Sequence, residues 1–328
     1  MQSSDEAPLV LITDYAWPDL DIERGIIESA GFRLAAGSPA PGTAAEIEAL
    51  ARDWDPASIL TNWAPVSAAA IAAPQGLRHI GRLGVGLDNI DVAAATARGA
   101  LVTNVPDYCV EEVSDHAVAL LLAWARGLIG FDTAVKAGVW APAGARLHRV
   151  RDLTVGIVGL GRIGRRVAEK LAPFGVRLLA HNRGAIDAGG LPVAAATLDV
   201  LLAGSDAVII NAPLNAQSHH LFDDARIGRM RPGAFLINVS RGPIVDNAAL
   251  IAALERGHLS GAGLDVVEGE PSPPEALARR SDVILTPHVA FSSGASVAEL
   301  RRRAAEEAVR VLRGEAALHP CNSPGSPA

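Results

Sequence analysis

The stretch that most limits how this chain can fold is Leu153-Thr-Val-Gly-Ile-Val-Gly-Leu-Gly-Arg-Ile-Gly-Arg-Arg-Val-Ala168. Its apolar run, Val155 to Val158, reads as a buried strand, and a helical pattern follows through Val167, Ala168 and Leu171. Between them stands Gly159-x-Gly161-x-x-Gly164. Glycine at 159 permits a tight turn, at 161 it lets backbone N–H groups approach a pyrophosphate, and at 164 it lets helix and strand pack closely. The positive end of the helix faces the phosphates. Three spaced glycines alone are weak, but set between a strand and a helix they point to a dinucleotide rather than to a structural turn.

Strand–helix alternation extends in both directions from this point. Upstream, Leu9–Thr13, Arg33–Ala35, Ile59–Asn62, His79–Leu83 and Leu101–Asn104 read as strands separated by helices at 21–30, 44–52, 68–72 and 91–98. Downstream, strands are expected at 176–180, 207–211, 234–239, 263–267 and 283–286, with a last helix over 295–312. Pro106 marks the break between the two series. A long apolar helix is expected from 111 to 128, then a second helical piece ending near Trp140 and a Pro/Gly-bearing loop at 141–146. Such alternation implies α/β architecture with two doubly wound parallel-sheet domains. At 328 residues, two cores are also the natural expectation. A Rossmann nucleotide-binding domain, 106–290, is inserted in a flavodoxin-like substrate domain made of 1–105 and 291–328. The Pro/Ser/Gly-bearing tail from His319 reads as disordered.

A net charge of −7, and the lack of a basic block with interleaved aromatics, argue against a nucleic acid partner. No apolar run is long enough to span a membrane, and the opening Met1-Gln-Ser-Ser-Asp-Glu6 has no basic leader pattern, so a cytoplasmic protein is expected. The two cysteines, Cys109 and Cys321, suit a reducing compartment and offer no metal spacing, and no metal site is expected. Cys109 reads as a small buried side chain rather than a nucleophile.

In a parallel sheet, ligands bind beyond the carboxyl ends of the strands. Arg241, Glu270 and His288 each fall just past such an end. Singly, each is more often a surface or loop residue, but their joint placement on one edge reverses that. The trio suits reversible reduction of a 2-oxo acid. His288 would exchange a proton with the substrate oxygen, Glu270 would orient it and favour its charged form, and Arg241 would bind the carboxylate or carbonyl. Asp265, read as lying inside a strand, either bonds the nicotinamide or its ribose, or acts as a structural cap. In Arg82-Leu-Gly-Val-Gly-Leu-Asp-Asn-Ile-Asp91, the amides of Val85 and Gly86 could hold a substrate carboxylate, or the glycines could form an ordinary turn. At the end of the strand after the fingerprint helix, Asn182 and Arg183 stand where an acid would bind the ribose of NAD. Without that acid and with a cation adjacent, NADP is favoured over NAD.

These residues lie in motifs that resemble the D-isomer-specific 2-hydroxyacid dehydrogenases over nearly the whole chain. The motifs are Gly84-Val-Gly-Leu-Asp-Asn-Ile-Asp91, Gly156–Gly164, Asn238-Val-Ser-Arg-Gly242, Leu264–Pro271 and Thr286-Pro-His288. The resemblance implies Arg241, Glu270 and His288 as the catalytic set and Asp265 near the nicotinamide. It adds Arg162, Ile163, Pro213, Val239 and Ser240 to the cofactor site, and a homodimer built largely by the helices around 110–140. Asn104–Cys109, Asp14-Tyr15 and His288–Ser292 are closest to the C-terminal-binding-protein-like branch. That likeness leaves a second expectation, a dinucleotide-sensing corepressor-like interaction protein, beside the enzyme.

Overall fold

In the computed structural model, residues 7–142 and 147–325 are described, and they divide into two compact units, Met1–Tyr108 with Ser293–Ala328 and Cys109–Ser292. The opening hexapeptide, part of the loop expected at 141–146, and the last three residues of the tail lie outside the described residues.

The first unit holds β1 (Leu9–Ile12), α1 (Asp21–Ser29), β2 (Arg33–Ala36), α2 (Ala44–Trp54), β3 (Ser58–Thr61), α3 (Ala68–Ala72), β4 (His79–Arg82), α4 (Val92–Arg98) and β5 (Leu101–Thr103). The strands are parallel in the order β2-β1-β3-β4-β5, the flavodoxin-like winding. β1, β3 and β4 are buried along their whole length, which is why they read as continuous apolar runs rather than as alternating ones. The long last helix (Gly294–Leu312) packs on α1, β3 and β4. Arg301 on it is buried, and its guanidinium donates to Glu23 at 2.8 and 2.9 Å and to Asp19 at 2.9 Å while lying 5.4 Å above the Trp17 ring.

The tail expected to be disordered from His319 is ordered through 322. Val102 N–H donates to Asn322 Oδ1 at 2.7 Å, Cys321 N–H to Val102 O at 2.8 Å, and Asn322 Nδ2 to Ala100 O at 3.0 Å. The cause is β5: as an edge strand it carries a row of backbone groups that need partners, and the tail supplies them.

The second unit begins with α5 (Val110–Ala125) and α6 (Leu128–Lys136). The two helical pieces expected here are present, but the first ends at Ala125 rather than 128, where Gly127 takes φ +60 and the second leaves at 60° to it. Then come β6 (Thr154–Val158), α7 (Arg162–Leu171), β7 (Arg177–His181), β8 (Val193–Ala195), α8 (Leu198–Gly204), β9 (Ala207–Ile210), α9 (Asp224–Gly228), β10 (Ala234–Asn238), α10 (Asn247–Glu255), β11 (Leu259–Leu264), α11 (Glu275–Ala278) and β12 (Val283–Leu285). The seven parallel strands run β12-β11-β10-β9-β6-β7-β8. Counted within the unit this is 3-2-1-4-5-6, the dinucleotide-binding order, with one more strand on the far edge.

β11 sits earlier than the expected 263–267. Its first half, Leu259-Ser-Gly-Ala-Gly263, looks like a turn, yet the glycines are there for contact. A Cβ on Gly261 would lie 2.1 Å from Asp282 O, and one on Gly263 would lie 3.3 Å from Leu120 on α5 and from Phe235. Asp265 therefore follows the strand rather than lying within it.

Candidate active site

All strands of the second unit point the same way, so the loops after β6, β7, β9, β10, β11 and β12 share one edge. The glycine loop follows β6. Gly159 takes φ +99, and a Cβ there would lie 2.7 Å from the Asn211 carbonyl carbon; one on Gly164 would lie 2.1 Å from Gly159 O. These two glycines are required by the packing of the turn itself. Gly161 differs: a Cβ there meets nothing within 4 Å, and no side chain caps α7 at this N-terminus. Its open amides, beside Arg162 and Ile163, form the cradle a pyrophosphate fits. Behind it Asn211, just past β9, has both side-chain amide atoms buried without a partner among the described residues. An uncapped helix end and an orphaned buried amide fit a polar ligand there.

Asn182, just past β7, accepts the Leu160 N–H at 2.7 Å, so it braces the glycine loop as a neutral side chain. Arg183 is exposed and its guanidinium donates to Gln217 on the loop after β9. On that loop Pro213 O accepts from Ser218 Oγ at 2.7 Å. Val239 is buried, and Ser240 Oγ donates to Ala212 O, which ties the turn after β10 to the one after β9.

The turn that carries Arg241 is folded by buried Asn238. Its Nδ2 donates to Arg241 O at 2.9 Å and its Oδ1 accepts from Ser240 N at 3.1 Å. A Cβ on Gly242 would strike the Val267 carbonyl at 2.1 Å, so this turn abuts the segment leaving β11. Arg241 itself is half-buried and donates to Ser240 O at 2.8 Å. Beyond β11 and β12, Glu270 and His288 meet: His288 Nδ1 lies 3.1 Å from Glu270 Oε2. With Nδ1 engaged by the carboxylate, Nε2 is the nitrogen left to serve a substrate.

Asp265 supports His288 through the backbone. Its buried carboxylate accepts Val289 N–H on Oδ1 and Ala290 N–H on Oδ2, each at 2.9 Å, while its carbonyl accepts His288 N–H at 2.8 Å. These bonds hold His288 at φ +52, a left-handed conformation uncommon for a residue other than glycine. Of the two readings open from the sequence, the cap is observed directly, and Oδ2 keeps acceptor capacity toward a ligand. Two residues to which the sequence assigns no role complete the arrangement: Thr286 donates to Asp265 Oδ1, and His116 on α5 lies 2.9 Å from Thr286 Oγ1. A polar pair reaching across 170 positions leaves no local signal. Val85 and Gly86 belong to the first unit, in the turn after β4; Gly84 takes φ +156, and Val85 O accepts from Asn104 Nδ2 at 2.7 Å.

Residues 118–290 match the model of the D-isomer specific 2-hydroxyacid dehydrogenase family, NAD binding domain. A glyoxylate reductase of Korarchaeum cryptofilum is 39% identical over 265 residues, covering 79% of each chain. A D-3-phosphoglycerate dehydrogenase of Mycobacterium leprae is 38% identical over 250 residues, covering 76% of this chain and 47% of that protein, so the chain spans about half its length. Among solved structures, an NADPH-dependent glyoxylate/hydroxypyruvate reductase from Sinorhizobium meliloti in complex with NADP and malonate superposes with a TM-score of 0.83. It is 33% identical, with 96% of this chain and 97% of that one covered.

Proposed function

The chain belongs to the D-isomer-specific 2-hydroxyacid dehydrogenase family, and from that premise we propose that it interconverts a small 2-oxo acid and its D-2-hydroxy acid. The observation that carries this reading is the Glu270–His288 pair at the carboxyl edge of the dinucleotide-type sheet, 3.1 Å apart. A bound nicotinamide dinucleotide would supply or accept the hydride. Gly159, Gly161, Gly164, Arg162 and Ile163 would hold its pyrophosphate, and Pro213, Val239, Ser240, Asp265 and the 182–183 pair the rest. During reduction His288 Nε2 delivers a proton to the oxygen on which negative charge develops, and in oxidation it removes that proton. Glu270 fixes the ring by accepting from Nδ1 and balances its charge. Arg241 offers a planar fork to the carboxylate or carbonyl oxygen.

NADP is the cofactor we assign over NAD. Asn182 brings no negative charge to the end of β7, and Arg183 brings a positive one within reach of a ribose phosphate. A second copy of the chain is the proposed partner: α6 and the residues after it expose Leu128, Ile129, Val135, Val139 and Trp140, the last at 83%. An apolar run of this kind is what a homodimer buries. The matched relatives carry the names of enzymes, and the acid–imidazole pair is intact, which favours catalysis over the corepressor-like alternative and its branch.

The reading is tested with a panel of 2-oxo acids, glyoxylate and hydroxypyruvate among them, assayed with NADPH and NADH. Reduction of at least one acid, abolished in His288→Ala while dinucleotide binding persists, supports it. Protein that binds NADPH yet reduces no 2-oxo acid overturns it.

A further inference from the structure

A second polar cluster lies in the same unit and shares no residue with the Glu270–His288 pair. The loop after β9 carries the consecutive histidines 219 and 220, and Glu268 lies on the segment leaving β11. His220 Nε2 sits 3.0 and 3.1 Å from the two Glu268 oxygens, nearly on the bisector of the carboxylate. His219 Nε2 reaches the same oxygen at 4.0 Å, and one donor atom from each residue falls within 4.8 Å of the others. The two rings stack with centroids 4.1 Å apart and planes 29° apart, so neighbouring residues aim their nitrogens the same way.

Backbone geometry sets this up. His220 takes φ +48, its N–H donates to Pro243 O at 2.8 Å, and His219 N–H donates to Asn215 O at 2.9 Å. On the other side Asn247 Nδ2 donates to Glu268 O at 2.9 Å, which holds the carboxylate-bearing segment. Hence three ligand atoms are presented by two anchored segments, with their side chains about one-third to one-half exposed and open to an ion from solution.

We propose that His219, His220 and Glu268 bind a divalent cation of the zinc class. Two imidazoles and one carboxylate are the donor set that such an ion prefers, whereas calcium and magnesium call for oxygen ligands throughout. Tetrahedral bonds of about 2.0–2.2 Å set donor atoms roughly 3.4 Å apart, so the pair now at 4.0 Å closes on the ion by rotation of the exposed His219 side chain. The fourth position stays with water, and the ion takes the place of the hydrogen bond between His220 and Glu268. Bound there, it clamps the loop that carries Pro213 to the segment that leads to Glu270.

The test is calorimetric titration of zinc chloride into the chelator-stripped full chain, in a buffer that does not bind metal, repeated with His219→Ala. Cobalt(II) serves as the spectroscopic probe, since tetrahedral nitrogen–oxygen ligation gives visible bands far more intense than the weak absorption of aqueous cobalt. One-to-one binding, weakened about tenfold or more in His219→Ala with loss of the cobalt bands, supports the site. His219 is exposed, so that variant keeps its melting temperature without metal, and a lost isotherm reports lost ligation. Absence of stoichiometric binding, or the same isotherm in His219→Ala and in Glu268→Gln, overturns the proposal. Neither readout requires turnover, so this outcome and that of the 2-oxo acid panel are separate.

Discussion

Thr286 Oγ1 donates a 2.6 Å hydrogen bond to Asp265 Oδ1, and because a hydroxyl has one proton, His116 Nε2 must be the donor in its own 2.9 Å contact with Thr286 Oγ1. A directed chain thus runs from α5 through Thr286 to the carboxylate that pins Val289 and Ala290, the two residues after His288. The position of the His288 imidazole is tied to α5, whose buried positions, Ser114 apart, are apolar.

Asp265→Asn leaves one acceptor oxygen where three protein donors now converge, so the 286–290 loop loosens. We expect kcat to fall by roughly tenfold to a hundredfold with a smaller change in the KM of the 2-oxo acid. Thr286→Val, which keeps the shape and removes the donor, should lower stability by about 1–3 kcal/mol and slow turnover less than Asp265→Asn. Steady-state kinetics and urea denaturation of both variants check this; unchanged kcat in both would show that the loop is held by other contacts.

Proton transfer at His288 is worth about a hundredfold to ten-thousandfold in kcat. His288→Gln should lose that range, while Glu270→Gln, which keeps a hydrogen-bonding partner for Nδ1 but not its charge, should lose about ten- to a hundredfold. Equal losses in the two would make Glu270 part of the proton-transfer step itself.

The glycines of the fingerprint separate by space. Gly164→Ala puts a methyl group against Gly159 O and should destabilise the second unit by roughly 1–3 kcal/mol. Gly161→Ala meets open space, so its melting temperature should match the parent's, yet dinucleotide affinity should drop about tenfold or more as the new methyl group occupies the cradle. Thermal melts with and without NADPH distinguish the two; tight NADPH binding by Gly161→Ala would place the phosphates elsewhere.

Arg183→Ala should raise the KM for NADPH about tenfold and leave that for NADH within about twofold, since it removes a cation that only the phosphorylated ribose needs. A parent enzyme that prefers NADH would refute the assignment before any substitution is made.

His79 lies wholly buried between Ser58 Oγ and Thr103 Oγ1, each 2.8 Å away, and burial pushes its pKa down to about 3. The unfolded chain protonates this ring below about pH 6.5 and the folded chain resists until near 3. The stability its neutral form contributes is thus fully present above about pH 6.5 and is lost as pH falls toward 3. The free energy of unfolding, compared near pH 7.5 and near pH 5, should fall by as much as about 2 kcal/mol more in the parent than in His79→Gln, which does not titrate. Parallel losses would place the acid sensitivity elsewhere.

What the sequence disclosed follows the range of each interaction. The strands buried on both faces stand out as apolar runs, and Gly159–Gly164, Arg241, Glu270 and His288 are legible because a parallel sheet turns sequence position after a strand into position along one edge. β11 misleads because Gly261 and Gly263 answer to Asp282, Leu120 and Phe235 rather than to a turn. β8 is short and mostly exposed, with no core to pattern it. The chain from His116 to Asp265 and the pairing of Asn322 with Val102 join distant residues, and nothing nearby marks them.

The buried pairing of Glu23 with Arg301 joins positions 278 apart, one before the second unit and one after it. During synthesis, the ribosome has delivered the whole of 109–292 before it makes Arg301, so the uninterrupted unit can settle first. Glu23, meanwhile, waits on α1 as an unmatched charge beside five strands already made, and that side of the sheet is covered only when the emerging last helix brings its counterion home.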